Sequence, residues 1–179
     1  MLPSPPAQSY HLVVIYCLFV DLDGVLVDFD SGVERVTGAR PSQLSPRAMW
    51  PRLARTPDFY AQLDWTADGP LLWQHVSGNS PTILTGLPLG RWAAPQKREW
   101  CDRELGRRVP VITCMSRAKA DRARDVTPPD VTPVLIDDRT SLKEAFEREG
   151  GIFVHHVDAA KTIAALETLK GEFVPSQAP

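Results

Sequence analysis

The feature that most constrains this chain is an apolar segment that ends abruptly in a pair of aspartates. Residues 12–20 (LVVIYCLFV) contain no charged side chain, and Asp21, Asp23 and Gly24 follow them directly. A short apolar run rich in β-branched residues predicts a strand that is buried on both faces, as in a parallel sheet. Because open parallel sheets bind their ligands at the carboxyl ends of the strands, we expect the two carboxylates to lie at such an edge.

The same segment does not predict a membrane span or an export signal. The apolar run from His11 to Val20 is too short to cross a bilayer, and residues 1–9 contain no Lys or Arg of the kind that opens a signal peptide. We therefore expect a cytoplasmic protein. Residues 1–9 and 174–179 are rich in proline and polar residues, which predicts two disordered tails.

Charge and cysteine content exclude several kinds of partner. The chain has 20 Lys and Arg against 22 Asp and Glu, a net charge of −2, so it offers no broad basic surface for a nucleic-acid polymer or an anionic membrane. An anionic substrate must therefore be bound locally. The three cysteines are far apart in the sequence and predict buried thiols rather than a disulfide or a zinc site. The sequence is compatible with a homodimer but does not specify the oligomeric state.

Further apolar runs rich in β-branched residues follow the first one at intervals along the chain. They lie at residues 82–84, 109–113, 131–136 and 152–155. The segments between most of them have helical character. Strands that alternate with helices predict an α/β fold, here a Rossmann-like parallel sheet with helices on both faces.

Three of the predicted helices have recognisable ends. One begins at Pro95, a favoured first helical residue, and stops at Gly106. A second opens with Ser141 and Glu144 at the spacing of a capping box. A third follows Asp158, which is a suitable N-cap residue.

Residues 31–80 interrupt the alternation of strands and helices. They contain several aromatic residues among prolines and show little strand pattern, which predicts a small helical cap. The domain organisation expected is therefore a core at 10–30 and 81–171 with a cap at 31–80. Aromatic rings in such a cap more often form its own core than contact a ligand, and the sequence leaves both possibilities open.

A second pair of acids follows the predicted strand at 131–136. Asp137 and Asp138 arrive at the same edge of the sheet as Asp21 and Asp23. Carboxylates this close repel one another unless a cation lies between them, and oxygen ligands of this kind suit Mg²⁺. An Asp-Asp pair before a helix would also fit simple helix capping. Its position after a buried strand favours a shared metal site.

Two other features suggest a site for phosphate. Thr85 and Gly86 end the predicted strand at 82–84, and they offer a hydroxyl group and a flexible backbone amide. Lys97 falls in the first turn of the helix predicted to begin at Pro95, where the helix dipole disfavours a cation. That placement indicates a compensating anion nearby, although a solvent-facing lysine would tolerate the same position.

Along the chain, a strand is followed by DxDGV, a second strand ends in Thr, a helix contains Lys, and a later strand is followed by an Asp-Asp pair. In this order the chain resembles the haloacid dehalogenase-like phosphohydrolase superfamily. Within that superfamily the strings DLDGVLVDF, ILTGLP, KREW and LIDDR are similar to those of the 5′(3′)-deoxyribonucleotidase family. The resemblance covers residues 19–29 and 81–139 and does not extend to the insertion.

The resemblance implies a Mg²⁺-dependent phosphatase that dephosphorylates nucleoside monophosphates through an aspartyl-phosphate. Asp21 would be the nucleophile and Asp23 the general acid and base. Thr85 and Lys97 would hold the phosphate. The implied metal ligands are Asp21, Asp23, Asp137 and Asp138.

Four positions bear on the substrate rather than on the reaction. Phe29 matches an aromatic residue that lies beside the nucleobase in the family, and Arg117 and Lys119 match a basic pair near the substrate. Gly86 departs from the pattern, because the family usually has a second hydroxyl there. The segment between the first two motifs is also shorter than in the animal enzymes, which implies a reduced cap.

Other functions compete with this interpretation. The nearest is a phosphatase for sugar phosphates or another small phosphomonoester. A signalling receiver that is phosphorylated on aspartate also combines acids, Mg²⁺, Thr and Lys on a parallel sheet. In a receiver, however, the Thr and Lys follow the last acid, whereas Thr85 and Lys97 precede Asp137. A catalytically silent binding protein is disfavoured by the complete set of acids.

Overall fold

A parallel β-sheet occupies the centre of the computed structural model, which describes residues 13–179. Its strands are β1 (Val14–Val20), β2 (Thr82–Gly86), β3 (Val111–Cys114), β4 (Thr132–Asp137), β5 (Ile152–His155) and β6 (Gly171–Phe173). The strand order is β3-β2-β1-β4-β5, and β6 pairs with β1. The predicted tail at residues 1–9 and the start of the first apolar run lie outside the described residues.

Helices cover both faces of the sheet, so the predicted α/β, Rossmann-like fold with a helical insertion is confirmed. The helices are α1 (Phe29–Thr37), α2 (Pro46–Arg55), α3 (Gly69–Val76), α4 (Ala93–Cys101), α5 (Lys119–Val126), α6 (Lys143–Arg148) and α7 (Ala159–Glu167). Among the described residues, no helix is long and apolar enough to cross a membrane.

Strand β1 shows how the two faces are built. Leu18 and Val20 point into a core cluster that includes Trp100 of α4, whereas Phe19 points into a second cluster with Phe146 of α6. Side chains alternate across a strand, so a strand that is apolar at every position can fill a core on each side. This explains the continuous apolar run. The three cysteines are buried in these clusters as free thiols, as predicted.

Two predicted helix starts are wrong and one is confirmed. Helix α4 begins at Ala93 instead of Pro95, because proline is tolerated anywhere in a first turn whose N–H groups have no helical partner. Lys97 is therefore the fifth helical residue.

The capping box at Ser141 does not form, since a 3-10 turn at Thr140–Leu142 precedes α6. Asp158 does cap α7, and its carboxylate accepts from the Lys161 amide at 2.8 Å.

The insertion divides into two structural parts. Helices α1 and α2 pack on each other and lie over the carboxyl edge of the sheet, where Trp50 lines the same cleft as Asp21. Helix α3 packs instead against α7 on the flank of the sheet. The Ala159 amide at the start of α7 donates to the Asp68 carboxylate at 2.6 Å, which joins this part of the insertion to the core.

Strand β6 was not anticipated from the sequence. Its three residues pair in parallel with the amino-terminal half of β1, beside the shorter β2. The sequence predicts a disordered tail at residues 174–179. This segment has no regular secondary structure, but two backbone hydrogen bonds hold it in place. The Val174 amide donates to the Tyr16 carbonyl at 2.8 Å, and the Gln177 amide donates to the Val126 carbonyl at 2.7 Å. These bonds place the carboxyl-terminal segment against the core.

The pairing of β6 with β1 predicts that Gly171→Ala destabilises the fold. A Cβ atom at position 171 would overlap with the Val14 carbonyl oxygen and the Tyr16 ring. Overpacking of this kind lowers the free energy of unfolding by about 1–3 kcal/mol, measurable by urea denaturation. Gly78→Ala is the matched control, because a Cβ there meets no other atom. Equal midpoints for the two variants would contradict the tight pairing.

Candidate active site

A cleft opens at the carboxyl ends of β1, β2 and β4, beneath the α1 and α2 part of the insertion. It has a volume of about 210 Å³. Its lining residues include Asp21, Asp23, Gly24, Phe29, Asp30, Trp50, Tyr60, Gly86, Ser116, Asp138 and Arg139. Pockets that bury drug-sized ligands usually measure about 300–1,000 Å³, so a ligand larger than this cleft would protrude from it.

Asp21 lies at the base of the cleft and is paired with a buried lysine. The Asp21 amide donates to the Ile136 carbonyl at 3.0 Å, which continues the pairing of β1 with β4 past the strand end. Lys119, at the start of α5, is only 2 % exposed. Its Nζ lies 2.8 Å from Asp21 Oδ1 and 2.6 Å from Asp137 Oδ2. Burial alone would lower the pKa of Lys119, but the two carboxylates raise it above its ordinary value.

Asp23 belongs to a second ion pair next to the first. Lys97 Nζ donates to Asp23 Oδ2 at 2.7 Å and to Thr85 Oγ1 at 2.8 Å. The same ammonium group lies 4.4 Å from the centre of the Tyr60 ring, in the geometry of a cation–π contact. Burial raises the pKa of the Asp23 carboxyl, Lys97 lowers it, and nearby Asp21 raises it further, so that it ends above its ordinary range.

Three carboxylates form a group that has the spacing of a metal site. Asp21, Asp137 and Asp138 each offer one oxygen atom, and these atoms lie within 4.8 Å of one another. Burial and the charges of Asp21 and Asp137 raise the pKa of Asp138 to about 7. Burial and Asp21 likewise raise the pKa of Asp137. Raised pKa values in neighbouring acids indicate that positive charge at this point would be favourable.

The carboxylate oxygen atoms of the cleft fit a hard cation. Asp23 Oδ1 is buried and has no hydrogen-bond donor among the described residues, whereas the buried Asp21 Oδ1 faces the Lys119 ammonium group at 2.8 Å. Both Asp137 oxygens are engaged, one by Lys119 and the other by the Arg139 amide at 2.9 Å. Asp21 and Asp138 are therefore the better placed ligands for Mg²⁺.

Gly24 allows Asp138 to approach this group closely. Its φ of 75° lies in the left-handed region, and a Cβ atom at this position would lie 2.5 Å from Asp138 Oδ2. Position 24 therefore requires glycine for two reasons, its positive φ and its close contact with Asp138.

Aromatic rings form the opposite side of the cleft. Phe29 is stacked on Tyr60 with ring centres 6.0 Å apart and an interplanar angle of 20°. The Phe29 ring also lies 6.0 Å from the centre of Trp50. Phe59 is buried behind them as part of the core of the insertion. The insertion therefore uses some of its aromatic residues as core and presents others to the cleft.

The structure brings together nine of the ten site residues that were predicted from the sequence. Asp21, Asp23, Phe29, Gly86 and Asp138 line the cleft. The predicted site residues Thr85, Lys97, Lys119 and Asp137 are buried directly beneath it. Arg117 is exposed and does not line the cleft. The Asp23 carboxylate, predicted as a metal ligand, does not join the group of three acids and pairs with Lys97 instead.

Sequence reasoning missed the central position of Lys119, which it treated only as a substrate contact. A usable pattern existed, because Lys119 is the first residue of α5, where the helix dipole disfavours a cation. Lys97, by contrast, is the fifth residue of α4 and lies outside its first turn. The sequence assigns no role to Ser116 or to Arg139 of the LIDDR motif, because their contact forms only where the loops after β3 and β4 meet.

No protein-family model and no curated protein matches the chain.

Proposed function

We propose that the protein is a Mg²⁺-dependent phosphomonoester hydrolase of the haloacid dehalogenase-like type, acting on nucleoside monophosphates as the 5′(3′)-deoxyribonucleotidases do. The observation that carries the proposal is the position of Asp21. It lies at the base of the cleft, next to Asp137 and Asp138, and its Oδ1 atom faces the buried Lys119 ammonium group at 2.8 Å. A carboxylate anchored through one oxygen atom can present its second oxygen atom to phosphorus.

In the first step the Asp21 carboxylate attacks the phosphorus atom, and a bond forms between Asp21 and the phosphoryl group. The bond from phosphorus to the leaving oxygen breaks, and Asp23 donates its proton to the departing alkoxide. A pKa raised above the ordinary range by burial suits Asp23 to this role as an acid.

In the second step water attacks the phosphorus atom of the aspartyl-phosphate. Asp23 accepts a proton from that water, the bond between Asp21 and phosphorus breaks, and inorganic phosphate leaves. Lys97 acts through Asp23, because its ammonium group donates to that carboxylate, and the Thr85 hydroxyl oxygen accepts a second hydrogen bond from the same ammonium group. Lys119 holds Asp21 and Asp137 in place by neutralising part of their charge.

Asp21 and Asp138 would hold Mg²⁺ with support from Asp137. When bound, the cation supplies positive charge that offsets the acids and the phosphoryl oxygens. Without such charge, a phosphate anion would face several carboxylates at the base and sides of the cleft.

Two observations bear on the substrate. The ring of Phe29 at the side of the cleft favours a leaving group with a flat apolar face, such as a nucleoside. The volume of about 210 Å³ favours a smaller phosphomonoester, such as a sugar phosphate, as the second candidate. A turnover screen with Mg²⁺ across deoxynucleotide, ribonucleotide and sugar monophosphates, repeated with a chelator, tests both. An absence of Mg²⁺-dependent phosphate release from all of them would end the proposal.

Asp138→Asn is expected to raise the Mg²⁺ requirement more than it lowers the maximal rate. The variant keeps an oxygen ligand but loses its charge, so the half-saturating Mg²⁺ concentration should rise about tenfold or more. Initial rates over a Mg²⁺ titration measure this. Asp130→Asn is the control, because Asp130 is exposed and precedes β4 at the far end of the strand. An unchanged Mg²⁺ dependence would remove Asp138 from the metal site.

Phe29→Ala is expected to impair nucleotide substrates selectively. Stacking of a base on an aromatic ring contributes about 1–3 kcal/mol, so kcat/KM for dTMP or dUMP should fall about tenfold or more. A sugar phosphate should lose less, because it has no base to stack. The comparison separates a lost contact from a general injury, which would depress every substrate equally. Equal losses would exclude Phe29 as a platform for the base.

A further inference from the structure

The cleft offers few groups that can meet an anion. Four carboxylates line it, whereas Thr85 and Lys97, the hydroxyl and cation expected to hold phosphate, are fully buried beneath it. Among the lining side chains of the described residues, the single aliphatic hydroxyl is that of Ser116 and the single cation is Arg139. A phosphoryl group in this cleft therefore needs side-chain donors other than Thr85 and Lys97.

The hydrogen bonding of Ser116 leaves its proton available. Arg139 Nη1 donates to Ser116 Oγ at 3.0 Å, so the hydroxyl oxygen acts as the acceptor. Within residues 13–179, no acceptor for the Ser116 hydroxyl proton is found. A hydroxyl that accepts from a guanidinium group is polarised and can donate strongly to an anion.

Gly86 makes room for this hydroxyl. A Cβ atom at position 86 would overlap with Ser116 Oγ. Gly86 has no positive φ, so its backbone conformation does not require glycine. The space above the end of β2 is thus taken by the Ser116 side chain, which arrives from the loop after β3.

We propose that Ser116 is a substrate-binding residue whose hydroxyl, oriented by Arg139, donates a hydrogen bond to a phosphoryl oxygen in the cleft. This inference rests on the proposed function for the identity of the anion. Gly86 leaves space for the Ser116 hydroxyl, which lies where the side chain of a larger residue at position 86 would be.

Binding of inorganic phosphate in the presence of Mg²⁺, measured by calorimetry, tests the proposal without turnover. A hydrogen bond to a charged group is strong enough that Ser116→Ala should weaken phosphate binding about tenfold or more. The unfolding temperature without phosphate should stay near that of the wild type. Ser77→Ala, which removes an exposed hydroxyl that does not line the cleft, is the matched control. Wild-type phosphate affinity in Ser116→Ala would overturn the proposal.

An exchange of side chains tests the shared position. Gly86→Ser alone should bind phosphate poorly, because its side chain overlaps with Ser116. Ser116→Gly alone should also bind poorly, because the hydroxyl is absent. The double variant Gly86→Ser, Ser116→Gly returns a hydroxyl to the same place and should recover most of the affinity. A double variant that binds no better than Ser116→Gly would refute the shared position.

The same proteins separate this inference from the proposed function. If Ser116→Ala hydrolyses an aryl phosphate and binds phosphate as the wild type does, the protein is a phosphatase and the Ser116 contact is refuted. If phosphate binding depends on Ser116 but the protein hydrolyses no phosphomonoester, the contact stands and the proposed function is refuted. When both effects are found, kcat/KM should fall with the phosphate affinity.

Discussion

Asp21→Asn is expected to abolish phosphatase activity, lowering kcat for an aryl phosphate by about four orders of magnitude or more. The variant keeps the shape of the side chain but removes the charge and nucleophilicity of the carboxylate. Asp21 has no substitute, since Asp137 is fully buried and both its oxygens are already bound. Initial rates with saturating Mg²⁺ measure the effect.

Asp130→Asn makes the same chemical change at an exposed residue before β4. It should retain the wild-type rate, and its positive φ of 63° is a conformation that asparagine tolerates well. If Asp21→Asn turned over the aryl phosphate at a rate close to that of this control, Asp21 would not be the nucleophile.

Lys119→Met is expected to destabilise the protein strongly and to reduce its activity. The substitution removes the cation that lies between Asp21 and Asp137, and it leaves two buried carboxylates without compensation. Breaking a buried ion pair in this way lowers the free energy of unfolding by about 3–5 kcal/mol. Protonation of one carboxyl limits the loss. Urea denaturation measures it, and kcat should fall about a hundredfold or more because Asp21 is no longer held.

Lys143→Met is the matched control for this effect. Lys143 lies on the surface of α6 and faces Glu147 at 3.8 Å, a pair of a kind that stabilises by about 0.5 kcal/mol. A Lys119 variant as stable as the Lys143 variant would mean that the ammonium group does not hold the two acids together.

The sequence predicted five strands of the sheet because each contains a short apolar run that is wholly or partly buried. Strands β1 and β4 are the clearest, because their buried apolar residues follow one another at successive positions, as in strands covered on both faces. Strand β6 could not be found in this way. It has three residues, two of them exposed, and it exists because β1 extends beyond the start of β2.

The site was predictable to the extent that its residues end strands. Asp21, Asp23 and Asp138 reach the cleft because the carboxyl ends of parallel strands share one edge. Residues carried by helix starts and loops were harder to place. The contact of Ser116 with Arg139 depends on how the loops after β3 and β4 meet, which no local pattern encodes.

The measurement that tests the central claim most directly is the detection of phosphate on Asp21. The protein is mixed with an aryl phosphate and Mg²⁺, quenched in acid during turnover, and reduced with borohydride, which converts an aspartyl-phosphate into homoserine. Peptide mass spectrometry then locates the modified residue. The proposed mechanism predicts homoserine at position 21, absent when substrate is omitted. Wild-type turnover with an unmodified Asp21, or with the phosphoryl group on another residue, would contradict it.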